Sequence, residues 1–253
     1  MASILTYINE SLSEDLSIVK IGIYSVPVYI CARLFTKGEM GSLYFWLIIL
    51  GFITLGLITK AINNVRTNKT EILTLNPLKL FYTIVITTIA LIPQILLFGG
   101  IGLAITKFIH IPVELPHFQL IFNIIIWSVV SAIILTSYLS FAKYLNILES
   151  FNYKVIFYSC VDILVSILFF TPQLLLANLV FIGPIAALCK EFNIPFTHEV
   201  FILYCSVIAV INISVIANYF AQIAFEHIKE NNQSYDDNFK INDVIEDITE
   251  RLQ

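Results

Sequence analysis

The chain has 253 residues, of which 58% are hydrophobic and only 13% are charged, and its mean hydropathy is +0.87. A water-soluble domain of this size needs more surface charge, so this composition excludes an ordinary soluble protein and indicates one that spans a membrane. The formal net charge is −4. We expect no nucleic-acid partner, because phosphate binding requires a basic surface.

Residues 1–17 predict an N-terminal amphipathic segment. Leu5, Ile8, Leu12 and Leu16 recur near helical spacing, which places them on one face of a helix. This helix could dock a partner, or it could cap the bundle or lie on the bilayer. The second interpretation is favoured, because the segment is not basic and would be attracted only weakly to anionic lipid.

Six long apolar runs follow within residues 18–225. Crossing about 30 Å of hydrocarbon takes about 20 helical residues, and the runs are close to that length or longer. The sequence therefore predicts an all-α fold, an integral membrane bundle of about six transmembrane helices. Prolines inside the runs predict helix kinks, because proline removes a backbone hydrogen bond, and the kinks are expected at Pro27, Pro93 and Pro172. The runs are 18–35, 42–62, 80–109, 118–141, 155–188 and 200–225.

The basic residues predict the orientation of the bundle. The connections after the second and fourth runs, together with the C-terminal segment, hold nine Lys and Arg residues, and the opposite connections hold four. Positively charged loops stay in the cytoplasm, so both termini are predicted to be cytoplasmic. The high usage of Ile, Asn, Phe and Tyr suggests an AT-rich prokaryotic genome, and hence the inner (plasma) membrane.

Residues 226–253 form an acidic segment that is predicted to be a cytoplasmic tail. It carries eight acids against three bases. Apolar residues recur in it at helical spacing and predict an amphipathic helix, which is a possible site for a protein partner. These residues are Ile241, Val244, Ile245, Ile248 and Leu252.

The third and fourth runs resemble the fifth and sixth. Residues 80–142 and 155–225 carry matching positions in the same order, and each unit would contain two helices. The sequence therefore predicts a parallel two-helix pseudo-repeat. The matched positions include Pro93-Gln94 with Pro172-Gln173, Ile111-Pro112 with Ile194-Pro195, His117 with His198, and Tyr138 with Tyr219.

The repeated proline and glutamine define a candidate substrate pathway. Matched interruptions in two repeats of a transporter often mark its substrate site, which would place Gln94 and Gln173 beside a pathway. The alternative is that the two amides supply hydrogen bonds between helices, and we favour it. Asp162 is an acid well inside a run, where a carboxylate is costly. It is either a proton or cation site, or a solvated structural residue.

The remaining candidate ligands are histidines in the two connections opposite the termini. His110, His117 and His198 could approach one another with Glu114 and Glu199, and imidazole and carboxylate both bind zinc. Their spacing matches no metal motif, so no metal or other cofactor is predicted. The sequence also has no catalytic motif of a known type, which favours a protein that is not an enzyme.

The segment from Gly56 to Phe98 reads GLITKAINNVRTNKTEILTLNPLKLFYTIVITTIALIPQILLF, and residues 218–228 read NYFAQIAFEHI. Together they resemble a family of multi-pass prokaryotic membrane proteins that has no established activity. The resemblance implies an architecture and no function. The glycine that is usual in that pattern is absent after Asn68, and the acidic tail extends beyond it.

Three functional hypotheses follow from these observations. The first is a non-enzymatic membrane protein with a structural, assembly or lipid-interacting role, whose partner is membrane lipid. The second is a small transporter or permease component with a polar site near the two Pro-Gln pairs. The third, a membrane-bound metalloenzyme, would require the histidines of the two connections to converge.

Overall fold

The computed structural model describes residues 4–14, 16–66, 73–108 and 116–228, and these residues form helices and connections without strands. They contain seven α-helices and one short 3-10 helix. The α-helices are α1 (Ile4–Ser13), α2 (Ser17–Lys37), α3 (Met40–Arg66), α4 (Pro77–Phe108), α5 (Pro116–Tyr144), α6 (Tyr153–Glu191) and α7 (Glu199–His227), and the 3-10 helix is Ile147–Phe151.

The predicted fold is confirmed. Helices α2 to α7 are long and apolar enough to cross a membrane, and they correspond one to one with the six apolar runs of the sequence. The chain is therefore a multi-pass membrane protein. Only 17–39% of the residues in the most apolar part of each span are buried within the bundle. The remaining apolar side chains are available to lipid, as a span in a bilayer requires.

Three of the helices contain proline without ending there. Pro27 lies inside α2, Pro93 inside α4, and Pro172 and Pro184 inside α6. Helices α4 and α6 are also the two longest, with 32 and 39 residues against 21 in α2. The surplus apolar length seen in the sequence is thus continuous helix on both sides of each proline.

Helices α3 and α7 form the centre of the bundle. Helix α7 contacts α1, α2, α3, α5 and α6, and α3 contacts α2, α4, α5 and α7. Small residues allow these close approaches: Ala61 of α3 packs against Ala217 of α7, and Gly56 of α3 faces Leu80 and Ile84 of α4. Small side chains at helix interfaces are typical of membrane bundles, where backbone proximity supplies the packing energy.

The two ends of the bundle differ in what they carry. Helix α1 packs against α7, so it lies at the end where α7 finishes, and we call this end the terminal face. The segment that connects α5 to α6 begins at the same end and contains the 3-10 helix. The opposite face carries the connections from α2 to α3 and from α6 to α7, with the end of α4 and the start of α5. The first of these turns on Gly38, whose left-handed backbone (φ 72°) ends α2.

Candidate functional site

The candidate pathway residue Gln94 is fully buried in the middle of α4. Its Nε2 donates a hydrogen bond of 2.8 Å to the backbone carbonyl of Ser150. The Ser137 hydroxyl of α5 donates to the same oxygen at 2.7 Å. One carbonyl of the 3-10 helix therefore accepts hydrogen bonds from two different spans.

This contact exists because the chain folds back after α5. Leu145 adopts a left-handed conformation (φ 50°), and Asn146 then caps the 3-10 helix by accepting a 3.0 Å hydrogen bond from Leu148 N. Ser150 consequently returns to the level of Ser137, which lies two helical turns, or about 10 Å, before the end of α5. Backbone at this depth must find its partners within the protein, and Gln94 and Ser137 provide them.

Gln94 also has an unused acceptor. Its Oε1 is buried and has no hydrogen-bond partner among the described residues, and the same holds for the Ser140 hydroxyl of α5. A buried polar atom without a partner is unusual and points either to a bound water or to a ligand. Gln94 therefore combines a role in packing with a free oxygen that a polar guest could use.

The second predicted pathway glutamine lies in a different environment. Gln173 and its neighbour Pro172 are exposed on the surface of α6, and so is Asp162, three turns earlier on the same helix. The structure thus brings Asp162 and Gln173 to one outward surface and leaves Gln94 apart, in the interior. The two Pro-Gln pairs share a sequence pattern but not an environment.

The matched tyrosines of the pseudo-repeat behave more alike. Tyr138 is buried, and its hydroxyl lies 2.9 Å from the Thr59 hydroxyl of α3. Tyr219 is also buried; it donates a 2.6 Å hydrogen bond to the carbonyl of Ser166 and stacks on Phe170 at 3.8 Å between ring centres. Each tyrosine therefore ties the second helix of its unit to another span.

An asparagine pair that the sequence reading missed joins the last two spans. The amides of Asn178 in α6 and Asn212 in α7 exchange two hydrogen bonds, of 2.6 Å and 3.3 Å. Two asparagines inside long apolar runs were a visible signal for such a contact, because hydrocarbon offers an amide no partner. The pair shows how primary amides satisfy each other inside this bundle.

The terminal face carries a network of polar residues around α1. The Tyr7 hydroxyl donates to Oε1 of Gln222 at 2.7 Å, and Asn218 of α7 donates to the Glu10 carboxylate. Burial, with the carboxylates of Glu226 and Glu10 nearby, raises the pKa of Tyr7. The N-terminal amphipathic helix of the sequence analysis is thus attached to the last span.

A buried ion pair completes this network. The Glu14 carboxylate pairs with the Lys20 ammonium group, and the exposed fractions of the two side chains are only 3% and 7%. Glu14 also accepts from the backbone N–H of Leu73, at 3.2 Å to one oxygen. One carboxylate therefore connects the junction of α1 and α2 to the segment that precedes α4.

The histidines proposed as metal ligands have structural surroundings where the structure describes them. His198 caps α7, with Nδ1 accepting a 3.3 Å hydrogen bond from Val200 N, and Glu199 forms a 2.7 Å ion pair with Arg33 of α2. His110 and the side chain of His117 lie outside the described residues, as does the predicted tail helix. Within the described part of the chain, no three His, Cys, Asp or Glu residues are close enough to hold a metal ion.

An open groove lies between α5 and α6. Its volume is about 450 Å³, and its lining is mostly apolar. The α5 side is formed by Ile124, Trp127, Ser128, Ser131, Ala132 and Leu135, and the α6 side by Leu164 and Ile167. The small residues Ser128, Ser131 and Ala132 follow one another at helical spacing on one face of α5, and their missing volume creates the groove.

Comparison with known proteins adds no relative. The sequence matches no protein-family model, and neither a curated protein nor a solved structure is significantly similar to it. The resemblance of the segment from Gly56 to Phe98 to a prokaryotic membrane family therefore stays an interpretation of those residues. The part of the chain that the structure describes contains six helices long and apolar enough to cross a membrane, and on this ground the chain is a multi-pass membrane protein.

Proposed function

We propose that the protein is a non-enzymatic membrane protein with a structural or assembly role that holds a lipid acyl chain in the groove between α5 and α6. The observation that carries the proposal is the groove itself, with its volume of about 450 Å³ and its lining of Trp127, Leu135, Leu164 and Ile167. This volume falls in the range of small-molecule sites in proteins, about 300–1,000 Å³.

The chemistry of the groove favours a hydrocarbon guest. Its walls are aromatic and aliphatic, and the groove is open at the surface of two spans, where the surrounding solvent is lipid. The Ser128 hydroxyl donates to the carbonyl of Ile124 in its own helix at 2.7 Å, so its hydrogen does not need an acceptor on a bound molecule. An acyl chain can therefore enter sideways from the bilayer without losing any hydrogen bond.

The interior polar residues support a structural role. The Thr59 hydroxyl of α3 hydrogen-bonds Thr87 of α4 and Tyr138 of α5, and the Asn178–Asn212 pair links α6 with α7. In membrane bundles such contacts hold helices together. We further propose that the terminal face is cytoplasmic, on the distribution of Lys and Arg along the sequence. The high usage of Ile, Asn, Phe and Tyr supports a prokaryotic plasma membrane as its location.

Lipid retention tests this proposal. The protein is purified in detergent with extensive washing, and bound phospholipid is counted by native mass spectrometry. We expect the wild type to keep one lipid, and the variants Ser131→Leu and Ser128→Leu to lose it, because the added methyl groups fill the groove. Val129→Leu is the matched control, since Val129 is exposed on α5 outside the groove lining. Equal retention by all four proteins would contradict the proposal.

Fluorescence gives an independent measurement. The chain has two tryptophans, so Trp46→Phe leaves Trp127 as the only one. In vesicles of phospholipid with brominated acyl chains, bromine quenches a tryptophan that the chains contact. We expect strong quenching of Trp127, and weaker quenching when Ser131→Leu is added. Unchanged quenching would place the acyl chains elsewhere.

The unused oxygen of Gln94 supports a second candidate, a small transporter. Among the described residues this Oε1 has no partner, so a polar guest could bind it. The test is labelling of Gln94→Cys by a membrane-impermeant thiol reagent, in a chain whose four native cysteines are replaced by serine. Labelling from either side would support a water-filled pathway. Protection under every condition would leave Gln94 with its packing role.

A further inference from the structure

The outward surface of α6 carries a polar residue where the bilayer offers it no partner. Gln173 lies halfway along the 39-residue helix, 20 residues after Tyr153 and 18 before Glu191. It is exposed, and it makes no side-chain hydrogen bond with any described residue. Its neighbours on the same face of α6, one turn before and one turn after it, are apolar and strongly exposed: Phe169 at 64% and Leu176 at 62%.

A primary amide in hydrocarbon is costly unless another polar group pairs with it. Lipid chains have no donor or acceptor, and lipid headgroups lie far from the middle of a span. Gln94, the matched residue of the pseudo-repeat, pairs its amide nitrogen inside the bundle with the Ser150 carbonyl. Gln173 faces away from the bundle, so its amide needs a partner from outside the single chain. We infer that another protein surface covers α6 around this residue.

We propose that a second copy of this chain covers it, and that two α6 helices pair side by side with Gln173 at their crossing point. Copies in one membrane have the same orientation, so the twofold axis of such a pair runs along the membrane normal. Around that axis each residue near the seam faces its own counterpart. Gln173 of one copy is therefore at the same depth as Gln173 of the other.

Glutamine is suited to this arrangement because it is self-complementary. Its amide donates through Nε2 and accepts through Oε1, so two facing glutamines exchange two hydrogen bonds. The chain already contains such a pair between spans, in the mutual hydrogen bonds of Asn178 and Asn212. Phe169, Leu176 and Val180 supply the apolar packing on either side, and all three are exposed in the single chain.

Asp162 limits where the two helices cross. It lies 11 residues before Gln173, and at 100° per residue the two side chains point within about 20° of each other. Two facing aspartates would repel, so the seam is centred on Gln173 and the helices diverge towards Asp162. At the rise of an α-helix the two positions are about 16 Å apart along the axis, enough for crossed helices to separate.

Association in a bilayer tests the proposal. The full chain is labelled separately with donor and acceptor dyes, reconstituted in vesicles of phosphatidylcholine and phosphatidylglycerol, and energy transfer is measured against protein-to-lipid ratio. We expect a dimer. Gln173→Leu should weaken it about 3- to 20-fold, the range expected for hydrogen bonds between membrane helices. Gln173→Asn keeps the amide and should retain most of the affinity.

The control is Leu168→Ala on the same helix. Leu168 is as exposed as Phe169 but points about 140° away from Gln173, so this variant should dimerise like the wild type. A wild type that stays monomeric at every ratio would overturn the proposal, as would a Gln173→Leu variant of unchanged affinity. In either case a different protein, and not a second copy, would be the remaining occupant.

Crosslinking locates the seam independently of affinity. In a chain without its native cysteines, Gln173→Cys should form a disulfide between two copies under mild oxidation, because equivalent residues meet at the axis. Leu168→Cys should not. Equal crosslinking at both positions would mean random collision and would contradict a defined seam, even if energy transfer reported association.

Discussion

The phenol of Tyr7 donates a 2.7 Å hydrogen bond to Oε1 of Gln222, between residues that are 215 positions apart in the sequence. The same ring packs edge-on against Tyr219, with 5.8 Å between ring centres. Tyr7 is buried, so the short helix α1 is part of the bundle and not a free surface helix. Within the described part of the chain, the contact joins the first helix, α1, to the last, α7.

Removing the Tyr7 hydroxyl should loosen α1. Tyr7→Phe keeps the ring contact but leaves the Gln222 oxygen without its donor, at an expected cost of about 1–2 kcal/mol in stability. Thermal unfolding in a mild detergent measures the change. The control is Tyr44→Phe, because Tyr44 is exposed and its change should stay within about 0.5 kcal/mol. Equal effects of the two substitutions would contradict the importance of the hydrogen bond.

The same residue predicts a dependence on alkaline pH. The pKa of Tyr7 is raised above its ordinary value of 10.0 in the folded chain. The unfolded chain therefore loses the phenolic proton first, and stability is present below pH 10 and declines as the pH rises through the folded pKa. In Tyr7→Phe this part of the decline should be missing. Unfolding temperatures measured from pH 8 to pH 11 for both proteins would show the difference.

The effects of replacing Glu14 and Lys20 on stability should not be additive, because the two side chains form a buried ion pair. Replacing Lys20 leaves the buried Glu14 carboxylate without this cation, which costs about 3–5 kcal/mol, whereas replacing both residues with neutral ones costs much less. We expect Lys20→Met to be strongly destabilising, and the addition of Glu14→Gln to recover part of the loss. Additive losses in thermal unfolding would mean that the two residues act separately.

Gly56 should not tolerate a side chain. A Cβ added there would lie 2.5 Å from Cγ1 of Ile84 and 2.9 Å from Cδ1 of Leu80, so these side chains would have to shift or α3 and α4 would have to move apart. Gly56→Ala should cost about 1–3 kcal/mol, as overpacking does in a well-packed interior. Gly51→Ala is the control on the same helix, because nothing lies within 4 Å of its added Cβ. Similar unfolding temperatures for both variants would contradict the close approach.

The doubly bonded carbonyl of Ser150 predicts a non-additive effect. Gln94→Met or Ser137→Ala alone leaves this oxygen with one donor, at 2.7 Å or 2.8 Å. The double variant leaves it buried with none, so its loss of stability should exceed the sum of the two single losses. A double-mutant cycle measures the excess, which we expect to be about 1 kcal/mol or more. A coupling free energy of zero between the two substitutions would show that water replaces both donors.

The number and class of the helices could be predicted from the sequence because each span is specified locally. A run of about 20 apolar residues has no stable alternative in lipid to a helix that satisfies its own backbone. Pro93 and Pro172 did not change this outcome, since both helices continue past them. The N-terminal helix was also visible, although its attachment to α7 through Tyr7 was not.

The difference between Gln94 and Gln173 could not be predicted. Both follow a proline within a long apolar helix, so their local sequences are nearly the same. What separates them is the chain from Leu145 to Phe151, which folds back between spans and brings the Ser150 carbonyl to Gln94. The chain folds back there because Leu145 is left-handed and Asn146 caps the 3-10 helix. In the sequence alone these two residues look like part of an ordinary loop.

The unequal lengths of the spans have a consequence for the membrane around them. Helix α6 has 18 residues more than α2, which is about 27 Å of additional helix. A flat bilayer of one thickness cannot match both helices standing upright, so α6 has to lean while α2 need not. A lean brings the surplus apolar length of α6 within the hydrocarbon, and a thicker bilayer needs less of it, so the protein should favour regions where the bilayer is thick.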